Sequence, residues 1–336
     1  MKRQIINDPG AAVTEALEGM QLSYPDLVFY DTDRQLILRA TPARNKVGLV
    51  SGGGSGHEPL HAGFVGRGML DVAVPGAVFA SPTALQVHEG TLAADSGRGV
   101  LQIVKNYTGD VLNFTIAGEL AGDHAVDTEM VLVDDDLATD TGTGTDDGDG
   151  PGRRGTAAVV AVEKIAGARA ELGGSLTEVA DAARRVARNS RTMSLALQAG
   201  THPGQDRPAF DLGADEVELG VGIHGERGID RVRFASADEL TELLVTPLVD
   251  DLGLSRGAAV LAIVNGLGGA YPLELSIAAR RVHQLLGARG ITVARTLVGT
   301  YVTSLDMHGF SVTLVPADPD LLKLWDAPVR TPALSW

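Results

Sequence analysis

The sequence contains no cysteine. Disulfide staples, thiolate catalysis and cysteine-ligated zinc or iron–sulfur centres are therefore excluded. Basic residues are scarce: 28 Lys and Arg stand against 43 Asp and Glu, a formal charge of −15. Nucleic-acid binding needs clustered cations to neutralise phosphates, so no such partner is expected. An acidic surface serves solubility and does not point to a cationic substrate. No stretch approaches the ~18 uninterrupted apolar residues of a membrane span. Lys2 and Arg3 are followed by no apolar segment, so no signal peptide is expected either. The expectation is a cytoplasmic protein that does not enter a membrane.

What is present suits a globular protein. The chain has 336 residues, a length that suggests about two domains. Hydrophobic residues make up 44%, enough for a sizeable core. Short apolar runs alternate with helical patterns, the mark of an α/β fold. Lys46–Val50, Val100–Val104 and Glu129–Val133 read as buried strands, each ending in glycine or polar residues. Ligands bind at that edge of open α/β sheets. A second part begins near Asn189. There, Glu216–Ile223, Ala258–Val264 and Ile291–Val298 read as strands and Leu273–Leu286 as a helix. Ser175 with Glu178, and Ser236 with Glu239, have the spacing of capping boxes. Residues 139–155 read as an exposed loop rich in Thr, Gly and Asp. Asp146–Gly150 lacks the spacing and closing Glu of a calcium loop, so no metal is expected there.

Three motifs carry the candidate chemistry. The first is Ser51-Gly-Gly-Gly-Ser-Gly-His-Glu-Pro59. Its glycines let backbone N–H groups turn toward a ligand. Pro59 suits the first turn of a helix, whose dipole favours anions and a neutral imidazole. A tight turn would look the same, so the motif alone decides little. It is not a P-loop, because His57 and Glu58 stand where Lys and Ser or Thr are needed. His57 and His61 formally match the zinc-protease spacing, but Pro59 between them breaks the helix that this chemistry needs. The second motif is Lys105–Asp110, just past a buried strand. Asp110 reads either as an ion-pair partner of Lys105 or as a carboxylate that takes a hydroxyl proton. The third is Gly220-Val-Gly-Ile-His-Gly-Glu-Arg-Gly228, whose glycines leave His224 accessible. A neutral imidazole is a competent nucleophile toward a carbonyl. His61, His88, His124, His202, His283 and His308 read as structural or solvated.

Together these stretches resemble the substrate-binding subunit of the dihydroxyacetone kinase family. The resemblance adds Ile5–Pro9, His61–Leu70, Phe79–Pro82, Ile103–Phe114, Arg153–Gly155, Glu163–Gly167, Val298–Asp306 and Leu324–Pro328, and so spans nearly the whole chain. It implies that His224 forms a covalent hemiaminal with the carbonyl carbon of dihydroxyacetone or a similar short ketose. It implies that His57 and Asp110 bind hydroxyls and assist proton transfer, that Gly54, Ser55 and Gly56 wrap the substrate, and that Lys105 adds a contact. No cofactor is implied on this chain. ADP or ATP with magnesium is implied on a separate L subunit, and an M subunit is implied as phosphoryl donor in the phosphoenolpyruvate-driven version. A homodimer is also implied. So is a fold of two α/β domains, mixed sheets flanked by helices. One covers 1–188, rejoined by about 312–336, and the other 189–311. Arg227 departs from the family's usual Pro, Leu197–Gly204 diverges, and Thr141–Gly150 is unusually acidic. These departures bear on substrate choice and partner contacts, not on His57, Asp110 or His224.

Overall fold

The computed structural model describes residues 3–139 and 152–336. The loop residues 140–151, with the Asp146–Gly150 segment, lie outside the described residues. The chain divides into two compact units, one of residues 3–133, 159–187 and 323–336, the other of 134–158 and 188–322.

The first unit is built on β1 (Val28–Asp31), β2 (Leu36–Arg39), β3 (Gly48–Ser55), β4 (Val72–Val78), β5 (Val100–Lys105) and β6 (Thr128–Val133). Their order is β1-β2-β4-β3-β5-β6. The central strands β4, β3, β5 and β6 run parallel, and β1 and β2 add an antiparallel edge. Every residue of β5 is buried, as a parallel strand covered on both faces requires. Helices α1 (Ala12–Ser23), α2 (Ala84–Ala94), α3 (Thr108–Gly122), α4 (Ala158–Glu171) and α5 (Leu176–Arg188) flank this sheet in sequence. Val179, Ala183 and Val186 line one buried stripe of α5. Ser175 and Glu178 cap it reciprocally, as the sequence predicts.

The second unit holds β7 (Arg191–Gln198), β8 (Glu216–Leu219), β9 (Asp230–Arg233), β10 (Ala259–Gly266), β11 (Thr292–Gly299) and β12 (His308–Pro316). Their order is β11-β10-β12-β7-β8-β9, parallel only between β10 and β11. Helices α6 (Ala237–Asp251) and α7 (Pro272–Ala288) pack on it through Leu244, Leu248, Val282 and Leu286. The expected capping box opens α6, with Ser236 and Glu239 bonded both ways. A last short helix, α8, spans Pro319–Trp325. Among the described residues, no helix is long and apolar enough to cross a membrane.

Two segments, 134–158 and about 312–322, fall in the second unit rather than the first. β12 pairs with β10 and β7, so the chain returns to the first unit only from residue 323. Segment 134–158 is tied to the second sheet by Asp135, which is fully buried. The Asp135 carbonyl accepts the Thr192 N–H at 2.8 Å. Its carboxylate accepts the Thr156 N–H at 2.6 Å, the Thr156 hydroxyl at 2.7 Å and the Ala158 N–H at 3.0 Å. The returning tail is held by aromatic packing: Trp325 meets Trp336 edge-on at 5.8 Å, and Lys164 Nζ lies 5.1 Å from the Trp336 ring centre.

Candidate active site

Strand β3 does not stop at Val50 as its sequence suggests. It continues through the glycines to Ser55, with Gly52 beside Val74 and Gly54 beside Gly76 on β4. These glycines are there for close packing. A Cβ on Gly52 would lie 2.5 Å from the Val74 carbonyl oxygen, and one on Gly54 would lie 2.6 Å from the Ala80 nitrogen. The helix expected at Pro59 is also absent, and the chain makes turns and then a short 3-10 helix at Ala62–Phe64. The Gly56 N–H, expected to face a ligand, is held by the Glu58 carboxylate at 3.0 Å.

The ends of β3 and β5 and the start of α3 bring four predicted or neighbouring side chains together. His57, His61, Lys105 and Asp110 are all buried, at 1%, 6%, 1% and 4% exposure. His57 stacks on Phe79 with ring centres 4.9 Å apart. Asp110 sits in the first turn of α3, where the helix dipole favours its negative charge. Its Oδ1 is buried and has no hydrogen-bond partner among the described residues. The space over Gly53 is shared by three of these groups. A Cβ there would meet Lys105 Nζ at 2.7 Å, Asp110 Oδ2 at 3.6 Å and His61 Nε2 at 3.8 Å. Lys105 thus lies beside Asp110 and also binds His61 Nε2 at 2.8 Å. Burial pushes the Lys105 ammonium down, against the carboxylates of Asp110 and Glu163, which favour its charged form.

His224 belongs to the second unit. The strand expected over Glu216–Ile223 ends at Leu219, because Gly220 turns the chain with φ +76° and has Ala138 Cβ 2.6 Å from where its own Cβ would be. His224 then sits in a turn closed by the Gly222 N–H on the Glu226 carbonyl at 3.1 Å. Glu226 folds back beneath it. One carboxylate oxygen accepts the His224 backbone N–H at 2.9 Å, and the other lies 3.1 Å from ring Nδ1. Burial would raise the Glu226 carboxyl, but its hydrogen bond with His224, the His224 charge and Arg154 outweigh it and bring it down to about 2. The carboxylate is therefore ionised at neutral pH and can accept from Nδ1–H, and in the neutral ring that tautomer puts the lone pair on Nε2. Arg154 is itself fixed by Asp136 at 2.8 Å and the Gly220 carbonyl at 2.9 Å. Gly222 admits this packing, since a Cβ there would lie 2.0 Å from Glu226 Oε2 and 2.5 Å from Arg154 Nη1.

The first unit gathers His57, Lys105 and Asp110 around the glycine strand, and His224 lies in the second unit. Sequence reasoning missed three polar partners: His61, read as structural, Glu163 and Glu226. Glu226 was signalled by lying two residues beyond His224 in a glycine-flanked turn. Glu163 was signalled by interrupting the apolar run from Ala157 to Ile165. The remaining histidines have ordinary surroundings. His283 binds Thr296 at 2.8 Å, His308 faces Glu274 at 3.1 Å, and His88 packs against His124. Among the described residues no three His, Asp or Glu side chains are grouped to hold a metal ion.

Residues 18–333 match the family model of the Dak1 domain. The chain is 44% identical over 338 residues to the dihydroxyacetone-binding subunit DhaK of PTS-dependent dihydroxyacetone kinase 1 from Listeria innocua, covering 99% of this chain and all of that one. It is similar in structure to the dihydroxyacetone kinase of C. freundii, with a TM-score of 0.88 and 33% identity. That similarity covers all of this chain and 60% of that one. It is also similar to the dihydroxyacetone kinase operon co-activator Dha-DhaQ, with a TM-score of 0.89 and 32% identity over 95% of this chain and 97% of that one.

Proposed function

The chain belongs to the Dak1 domain family, and from that premise we propose that it is the ketose-binding subunit of a dihydroxyacetone kinase. The observation that carries the chemical part of this reading is the Glu226 carboxylate on Nδ1 of His224, which orients Nε2 as a nucleophile. Nε2 adds to the carbonyl carbon of dihydroxyacetone. A C–N bond forms as the C=O π bond opens. The carbonyl oxygen takes a proton and becomes a hydroxyl, while Glu226 stabilises the cation that develops on the ring and can receive the Nδ1 proton. Such a bond selects ketoses over polyols, which hydrogen bonds to hydroxyls would separate poorly.

His57 and Asp110 then have the hydroxyl work. Asp110 accepts the proton of the terminal hydroxyl as its oxygen attacks the phosphoryl group. Gly54, Ser55 and Gly56 line the substrate, and Lys105 is a further contact. The phosphoryl group comes from ADP or ATP with magnesium on a separate L subunit, which an M subunit recharges in the phosphoenolpyruvate-driven version. The kinase subunit works as a homodimer in the cytoplasm. A four-carbon ketose such as erythrulose fits the same chemistry.

Mixing the purified chain with a nucleotide-binding subunit of a dihydroxyacetone kinase tests this reading. Dihydroxyacetone phosphate is expected from the mixture and from neither protein alone. The similarity to the operon co-activator favours a second reading, a ketose-binding regulator. Ketose capture without turnover in any mixture would support the regulator instead.

Gly53 gives an independent check on the first unit. A methyl group at Gly53 would lie 2.7 Å from Lys105 Nζ, so Gly53→Ala must displace the ammonium. Turnover in the mixture is expected to fall about 10²-fold, the usual cost of misplacing a catalytic contact by an ångström. A loss below threefold would mean that the position of Lys105 does not matter to the reaction.

A further inference from the structure

The first unit buries a chain of three titratable side chains: Glu163 on α4, His61 in the turn after the glycine strand and Lys105 at the end of β5. Glu163 Oε1 lies 2.6 Å from His61 Nδ1, and His61 Nε2 lies 2.8 Å from Lys105 Nζ. Glu163 and Lys105 have 0% and 1% exposure. One arrangement of protons satisfies both bonds with the two end groups charged. Lys105 donates to Nε2, and Nδ1–H donates to the Glu163 carboxylate. Charged groups buried this deeply cost several kcal/mol each unless they are paired and hydrogen-bonded, on the order expected for desolvated ions. Packing alone would be served better by apolar side chains, so the chain calls for a functional reason.

We infer that His61 and Glu163 are positioning residues for Lys105: acting through the imidazole, the Glu163 carboxylate keeps the Lys105 ammonium protonated and fixed beside Asp110. The geometry stands by itself, while its consequence for turnover rests on the ketose kinase reading. Lys105 is faced by Asp110 from α3, by His61 and, behind it, His57 from the turn, and by Glu163 from α4. Burial drives all three members of the chain toward neutrality: Lys105 down, His61 well down and Glu163 well up. Two carboxylates oppose this at Lys105, first Asp110 and then Glu163. In its ionised form Glu163 is the second of the two carboxylates that favour the ammonium, and Lys105 in turn favours that ionised form against burial. The burial of His61 and the nearby Lys105 charge keep the imidazole neutral, able to accept at Nε2.

The sign of the effect follows. A carboxylate favours the protonated lysine, so removing the Glu163 charge lowers the pH at which Lys105 loses its proton. The protein has only five lysines, which makes lysine-selective 13Cε NMR practical, with Lys105→Arg identifying the resonance. Glu163→Gln keeps an acceptor for Nδ1–H and removes the charge, and it is expected to lower the Lys105 titration midpoint by about one pH unit or more. Glu163→Asp keeps the charge and is expected to restore most of that shift. If Glu163→Gln does not fold, His61→Phe fills the ring's volume without its nitrogens and is expected to move the midpoint the same way. An unchanged midpoint in the folded variants overturns the inference, because a merely structural role would lower stability without moving it. In the mixture, the alkaline limb of the kcat profile is expected to move down in pH with the midpoint. A shifted lysine midpoint in a protein that captures no ketose upholds the relay and overturns the kinase reading.

Discussion

His224→Ala is expected to abolish covalent capture of dihydroxyacetone and to lower kcat/KM in the subunit mixture by about 10³-fold or more, some 4 kcal/mol of transition-state stabilisation. The size follows from what the imidazole does. In the proposed chemistry it replaces a freely exchanging ketose by one fixed at its central carbon, and holding a reactant in place is among the largest single contributions to rate. The substitution is mild for the fold, because the His224 side chain is 23% exposed and lies in a turn held by backbone bonds. An unchanged melting temperature with activity gone is therefore the expected pair of results. Covalent capture retained by the alanine variant would remove His224 from the chemistry and return it to the surface.

Asp110→Asn separates capture from phosphoryl transfer. The amide keeps the carboxylate's shape but cannot take a proton, and it removes the larger of the two carboxylate contributions that favour the charged Lys105. Loss of a general base costs about 10²–10⁴-fold in kcat. The ketose adduct on His224 should survive, since in the proposed chemistry Asp110 takes a hydroxyl proton and makes no bond to the carbonyl carbon. A kcat within tenfold of wild type, measured at saturating ketose, would return Asp110 to the role of an ion-pair partner for Lys105.

Much of the site was legible because it obeys local rules. β5 is a parallel strand buried on both faces, so it reads as an apolar run, interrupted by Gln102, that ends in Lys105. Asp110 follows at a helix start, where an acidic residue has a local reason to be. The glycine segment was misread for a physical reason. Glycines signal a loop when only the chain itself is considered, whereas Gly52 and Gly54 are small because β4 and the chain beyond it press against them. That information comes from residues about twenty positions away. His61 was harder still. Its two partners are 44 and 102 residues distant in sequence, so nothing around it distinguishes a buried bridge from a solvated ring.

The same logic explains the elements and the boundary that were missed. β1, β2 and β9 have four residues each, too few for a pattern of alternation to stand out. Segment 134–158 joins the rest of the second unit through the Thr192 N–H, which donates to the Asp135 carbonyl, while Thr156 and Ala158 within the segment hold the Asp135 carboxylate. A run of three aspartates gives no hint that the second and third are buried. The family resemblance supplied the pairing of His224 with ketose capture. The structure supplies Glu226, whose carboxylate lies 3.1 Å from ring Nδ1 and favours the tautomer that the proposed capture needs.

The central claim is a bond between His224 and a ketose carbon, and it can be observed directly. Dihydroxyacetone labelled with 13C at its carbonyl is added to protein carrying 15N-labelled histidine, and the bound carbon is followed by NMR. The account predicts that this carbon moves from the ketone region to that of a tetrahedral centre, with a one-bond coupling to an imidazole nitrogen that disappears in His224→Ala. A bound ketose that keeps its carbonyl resonance, or a tetrahedral carbon with no coupling to nitrogen, would contradict it.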